Sequence, residues 1–428
     1  MQAHARGESE TREETMGPVF RSSRRQTPRR PRALLAWELG SRGNVAILLG
    51  VAAHLRAAGI ECLAALADTR HDQHFLPLGI RTVQTVAWPA ARGADVAWTQ
   101  RPVFGLTDRL ANHGLADPAS LAGAIGHYEA LFGLFKPDVV VCASAFGGLL
   151  AAQGRMPVVA CGTAQELPPI VAGVPVLFRG PAAVPSWPFP DVLDAINQGL
   201  ALAGRFPLEQ LGSVLAAEEV MPFGPDAFDI FAPWRSAPCL PAYAPGGLAS
   251  RDADASESSV CLDGRIAATP QVVAGLIRMD GPVRAGIPGL PERERRLLGE
   301  GGAVIGDAPA PLPQLLRRSR VLVHHGGPEL AGACLAAGVP QVILAQADEG
   351  HLTGAYVRDR GLGAYQDVAL ATTGWLVDCV RHARSDEIAT ACRAFAPTAQ
   401  AWYGDDPALL VARTAARLAG ITADLGGR

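Results

Sequence analysis

From Arg32 onward the chain repeats one pattern: a short apolar run, a glycine-containing turn, then a helical segment. That alternation limits the fold more than any other feature. Strands buried on both faces read as continuous apolar runs, and the helices between them supply the crossovers of a parallel sheet. Residues 33–37 (ALLAW) read as the first strand. Val45, Leu48, Leu49, Ala52 and Leu55 recur at helical spacing, which predicts a helix over 44–58 that stops at Gly59. Strands follow at 61–66 and 81–86, a helix at 119–135, a buried strand at 138–142, a helix from about Phe146 and a short strand at 157–161. A second series has strands at 260–262, 283–287, 303–305, 321–324 and 341–345, with helices at 270–277, 327–337 and 351–360. Between the two series, 240–259 is rich in Pro, Gly, Ser and Asp, as linkers are. The expectation is an α/β chain with two doubly wound parallel-sheet domains, 32–240 and 259–404, joined by a linker at 241–258. A C-terminal helix within 405–428 is expected to pack back on the first domain.

Composition narrows the function. With 49% hydrophobic residues among 428, a large core can be buried and global disorder is excluded. A net charge of −3 leaves no basic face for sequence-independent nucleic-acid binding and no polybasic membrane signal. The eight cysteines form no CxxC pair, so buried free thiols are expected, with no disulfide framework. His71, His74 and Asp72 are the one grouping that a metal could share, and no further ligand accompanies them. Residues 1–31 carry seven Arg and four Glu with almost no apolar side chains, and read as a disordered tail; translation from Met16 would remove half of it. The longest weakly polar stretch, 139–154, is broken by Gly147-Gly148 and is too short to span a bilayer. A cytoplasmic protein with no integral membrane segment is the expectation.

In doubly wound sheets, ligands sit beyond the carboxyl ends of the strands. The turn after the first strand is Glu38-Leu39-Gly40-Ser41-Arg42-Gly43-Asn44. It matches neither the dinucleotide fingerprint nor a P-loop. A ligand turn and a plain βα turn capped by Asn44 both fit it. The turn after 321–323 is His324-His325-Gly326-Gly327-Pro328-Glu329-Leu330, running into an apolar helix. Open backbone N–H groups, a positive helix end and imidazole donors favour phosphate there. After the next strand come Asp348, Glu349 and Gly350, where acids either complement a helix dipole or accept from sugar hydroxyls.

The segment VLVHHGGPELAGACLAAGVPQVILAQADEGHLTGAYVRDRGLGA resembles the donor-binding region of GT-B nucleotide-sugar glycosyltransferases, in particular the bacterial macrolide- and sterol-type enzymes related to UDP-glucuronosyltransferases. The segment WELGSRGNVAILLGVAAHLRAAGIECLAALAD is similar to that family's first strand, glycine turn and helix. The resemblance runs from about Arg32 to Gly363 and implies two Rossmann-like domains facing a cleft. The second domain would hold a UDP- or dTDP-sugar as co-substrate, and the first a small, hydrophobic or lipid-like acceptor hydroxyl. The reaction would be inverting and would need no metal or cofactor. His325, Gly326 and Gly327 match the diphosphate turn, and Glu349 the acid on the donor hydroxyls; Gly43, Glu329 and Asp348 border the same donor site.

Three positions depart from the family pattern. Asn44 stands where the family has a histidine base, and asparagine cannot take a proton near neutral pH. Glu329 stands beside the diphosphate turn, where its carboxylate has to rotate toward the helix end or an Arg to avoid repulsion. Gly350 replaces a frequent Gln. Glu38 and Asn44 are therefore the catalytic candidates, Glu38 as a relocated base or as an acid that caps the turn. Asp68, His71 and His74 follow the second strand and could reach the same cleft, less directly. The stretches 88–107 and 168–190, rich in Trp, Phe and Pro, suit either an apolar acceptor or ordinary loop packing. The competing function is a catalytically degenerate protein that binds a ligand or a partner; a sugar epimerase of the same architecture lacks support from the acid placement.

Overall fold

A computed structural model describes residues 29–39, 42–86, 88, 103–346 and 348–421, with the side chain of Arg42 excepted. The described residues from Pro31 onward form one compact unit. The expected tail, apart from its last residues, and most of the 88–107 stretch lie outside the described residues.

Six parallel strands form the first sheet: β1 (Arg32–Trp37), β2 (Glu61–Leu66), β3 (Arg81–Gln84), β4 (Val139–Ala143), β5 (Val158–Thr163) and β6 (Glu219–Phe223). The second sheet repeats the plan with β7 (Glu257–Cys261), β8 (Val283–Gly286), β9 (Val304–Gly306), β10 (Ser319–His324), β11 (Gln341–Ala345) and β12 (Gly363–Asp367). The spatial orders are β3-β2-β1-β4-β5-β6 and β9-β8-β7-β10-β11-β12. Both are the doubly wound dinucleotide-type order, which reverses between its first and fourth strands. The turns after β1 and β4, and after β7 and β10, therefore flank each domain's ligand crevice.

The helices that shape those crevices are α1 (Arg42–Ala57), α2 (Leu106–Asn112), α3 (Pro118–Phe135), α4 (Phe146–Ala152), α5 (Pro328–Ala337), α6 (Asp348–Asp359) and α7 (Pro407–Leu418). Local chemistry sets their ends. The Asp117 carboxylate accepts the Ser120 N–H at 2.8 Å ahead of Pro118, and Lys136 ends α3 with φ 52°. Helix α5 starts after Gly327 with Pro328 at its first position and stops at the left-handed Gly338. Helix α7 packs on α1 within the first domain's core, where Ala408, Val411, Ala412 and Ala415 are buried against Val51 and Leu55. A β-carbon at Gly50 of α1 would stand 2.7 Å from the Ala408 methyl, so glycine sets that close approach.

The strand β6 and a helix at Phe189–Leu202 fall in a stretch to which the sequence reading assigns no element, and β12 lies beyond the last strand expected. All eight cysteines are unpaired thiols, six of them buried. Among the described residues, no helix is long and apolar enough to cross a membrane.

Candidate functional site

The end of β1 sends Glu38 into the interior, where it is 4% exposed. Its Oε2 accepts the Trp88 indole N–H at 2.9 Å and the Gly147 N–H at 3.0 Å, while Oε1 accepts the Gly148 N–H at 2.9 Å. The last two donors open α4, so the carboxylate closes that helix's N-terminus. Burial pushes the Glu38 carboxyl above its usual range, and the two glycine N–H groups pull the other way. Its bonding is that of the capping acid in the pair of roles considered for it.

Asn44, in the first turn of α1, is fully buried on the cleft side. Its Nδ2 donates to Ser144 Oγ at 3.1 Å and to Glu166 Oε2 at 2.6 Å. Ser144 follows β4 with φ 49°, a left-handed conformation seldom held by a residue with a side chain. Glu166 lies in the turn after β5 and is 4% exposed; Oε2 also accepts the Thr163 N–H at 3.2 Å, and the Arg109 guanidinium stands 3.9 Å from Oε1. Arg109 is delivered by α2, whose buried Asp108 accepts the backbone N–H of Phe104 and of Trp187, both at 2.9 Å. Sequence reasoning missed Glu166, Arg109 and Ser144. Two of them occupy strand-end turns, which is the signal that could have found them. Gly43 sits half-buried beside Asn44 in the first turn of α1.

In the second domain, the two adjacent histidines after β10 divide. His324 is fully buried, and its Nδ1 accepts the Gly326 N–H at 3.1 Å. Nε2 therefore carries the proton and donates to Gln341 Oε1 at 2.8 Å. Burial lowers this imidazole to about 3, so it is neutral and pins the turn. His325 is exposed and faces the turn, with Nε2 3.3 Å from where a Gly327 β-carbon would lie. Gly326 has φ 91°, and a β-carbon there would meet Gly350 Cα at 2.7 Å. Gly350 in turn has His325 O 2.5 Å from its own β-carbon position. The missing Gln thus has a steric reason: α6 starts against the turn, and only glycine fits.

That close approach places Glu329, on α5, near Glu349, on α6. The Glu329 carboxylate folds back to its own backbone N–H, with Oε2 3.9 Å from the Gly327 β-carbon position. It lies over the end of α5 that an anion would use: it turns toward the helix, but not away from the place a phosphate would take. Burial, then the Glu349 charge, push Glu329 up to about 8; burial, resisted by Arg109, pushes Glu349 up to about 7. Glu166 adds repulsion to both across the cleft, so the two domains face each other here. Asp348 is exposed at the first position of α6. Both raised carboxyls bind protons more tightly folded than unfolded. The stability they contribute is complete below about 4.5 and is lost as pH rises through about 7–8. Glu329→Gln is therefore expected to flatten the fall in melting temperature between pH 5 and pH 8. An unchanged pH slope would mean that the Glu329 carboxyl is not held above its ordinary range.

A cavity of about 580 Å³ lies between strand ends of the two domains, lined by Val45, Asp68, Arg70 and His74 from the first and Asp263, Gly289 and Asp307 from the second. Its size suits a nucleotide-scale ligand. His71 and His74 stack loosely, centroids 5.9 Å apart; among the described residues no group of three potential metal ligands comes together. A second cavity, about 440 Å³ and lined by Pro168, Gly212, Val220 and Pro238, lies beside the outer strand β6, away from the strand ends of the second domain.

No family model matches the sequence. A 63-residue stretch is 41% identical to the elloramycin glycosyltransferase ElmGT of Streptomyces olivaceus, a match that spans 15% of this chain and 16% of that protein. Among solved structures, the calicheamicin glycosyltransferase CalG4 aligns with a TM-score of 0.63 at 18% identity, covering 92% of this chain and 100% of its own. The glycosyltransferase VinC, in complex with dTDP, gives 0.62 at 17% identity over 91% and 99%. SnogD from Streptomyces nogalater gives 0.57 at 17% over 91% and 100%. At such identities the likeness is one of architecture, and it extends over both sheets: the chain has the two-domain GT-B fold that these glycosyltransferases share.

Proposed function

We propose that the protein transfers a sugar from a dTDP- or UDP-sugar to a hydroxyl of a small, hydrophobic acceptor, by direct displacement with inversion and without a metal. The observation that carries this reading is the turn after β10. Gly326 and Gly327 bring the chain into α5 without side chains, His325 stands beside the turn, and His324 locks it from behind. A helix start reached through such a turn suits phosphate, through N–H groups and the helix dipole. VinC holds dTDP, and the spinosyn rhamnosyltransferase SpnG has been solved with thymidine diphosphate and with spinosyn aglycone, which favours a thymidine nucleotide and a hydrophobic acceptor here too. Glu349 would accept from donor hydroxyls, and the 580 Å³ cavity would take the nucleoside. The unpaired thiols support a cytoplasmic setting.

A second reading, a degenerate protein that binds a ligand without turnover, is favoured by one observation: Glu329 already lies where the diphosphate would sit. Melting curves with millimolar dTDP and UDP separate donor binding from its absence. A nucleotide at 100 times its dissociation constant adds about 2.7 kcal/mol, so a rise of several degrees is expected, larger at pH 6 than at pH 8. Flat curves with both nucleotides would remove the donor site and this proposal with it.

A further inference from the structure

Transfer to a hydroxyl needs a group that takes its proton, and the residue at the expected position, Asn44, cannot do so. Asn44 instead spends its amide on a carboxylate. The Asn44–Glu166 bond, at 2.6 Å, joins residues 122 apart in sequence. Ser144 accepts the other amide proton, so the amide is held from two sides. Glu166 is anchored as heavily as a positioned reactive group requires. Thr163 N–H and Asn44 both bond Oε2, which leaves Oε1 turned toward Arg109. The turn that carries Glu166 is clamped from outside the cleft. Arg235, 7% exposed in its side chain, pairs with the buried Asp229 at 2.6 Å and donates to Ala164 O at 2.6 Å and Leu167 O at 2.9 Å. The two carbonyls on either side of the 165–166 pair are thus fixed by one guanidinium. Across the cleft the facing charges are Glu329 and Glu349, beside the candidate donor turn.

We propose that Glu166 is the base that takes the acceptor's proton, that Asn44 and Arg235 are its positioning residues, and that the acceptor is a phenol. This rests on the glycosyl-transfer reading above. In the step, the acceptor oxygen forms a bond to the anomeric carbon as that carbon's bond to the diphosphate oxygen breaks. The bonding pair leaves with the diphosphate, and the acceptor's proton passes to the Glu166 carboxylate and from there to water. A glutamate is intrinsically a weaker base than imidazole, about 4.3 against 6.5 in ordinary values, so it serves an acidic hydroxyl, such as a phenol near 10, better than an aliphatic alcohol. Glu38 is excluded from this task by its three N–H partners inside the first domain.

The test compares the full-length wild type with Glu166→Gln and Glu166→Asp, using dTDP-glucose and UDP-glucose as donors and 2-naphthol or cyclohexylmethanol as acceptor, with dTDP affinity measured by calorimetry. Glu166→Gln is expected to lower kcat by about 10²–10⁴ while dTDP affinity stays within about threefold. Glu166→Asp should recover part of kcat, and the wild type should prefer 2-naphthol. Transfer by Glu166→Gln within tenfold of wild type, or equal use of the two acceptors, would overturn the proposal. A wild type that binds dTDP but glycosylates neither acceptor overturns the assignment of Glu166 and leaves the donor site standing. A wild type that binds no nucleotide overturns the reading beneath it as well.

Discussion

Glu38→Ala is expected to destabilise the first domain by about 3–5 kcal/mol, because it strands three buried N–H donors, each costing about 1–3 kcal/mol when left without an acceptor. Those donors are Trp88 Nε1 and the amides of Gly147 and Gly148. They lie in the core that Tyr128, Phe146 and Leu149 build against α3 and α4, so water does not readily replace the lost carboxylate. For a domain of this size the loss corresponds to roughly 6–20 °C in melting temperature. Thermal unfolding followed by circular dichroism reads it directly. A melting temperature within about 2 °C of wild type would mean that Glu38 is no structural cap, and would return it to the list of bases.

Much of the architecture was legible because its period is coarse. Ten strands of the two sheets could be read from short segments, most of them apolar, between glycine-containing turns, and β1, with five consecutive buried residues, is among the clearest. The two that could not are both sheet edges. Strand β6 contains Pro222 and an exposed Val220, and β12 (GAYQD) is half-buried throughout, so neither shows an apolar run. The helix Phe189–Leu202 was hidden by Pro188 and Pro190, although a proline in the first turn suits a helix. In the site, the glycines after β10 could be read from chemistry alone. The division of labour between His324 and His325 could have been read too, since successive residues leaving a strand face opposite sides. Glu166 could not. Its turn (GTAQEL) has no phosphate signature, and its meaning comes from Asn44 and Arg235, which only tertiary folding brings to it. The same holds for Gly350, whose role is a contact with the His325 carbonyl.

The central claim is that a donor bound at the turn after β10 gives up its sugar across the cleft. Gly327→Asp isolates that turn. Gly327 has φ −59° and ψ 130°, which any residue adopts, and aspartate is a favoured helix N-cap, so the variant should fold. Its carboxylate would add a negative charge beside Glu329 at the helix end meant for the diphosphate, an effect on the order of a few kcal/mol at this range. The measurement is mass spectrometry of 2-naphthol incubated with dTDP- and UDP-sugars and either protein. Wild type should yield the acceptor plus one sugar, in the inverted anomer, with loss of at least about 100-fold in Gly327→Asp at an unchanged melting temperature. Equal product from both proteins would place the donor elsewhere, and no product from wild type while dTDP still binds would contradict transfer and leave a protein that holds the nucleotide without using it.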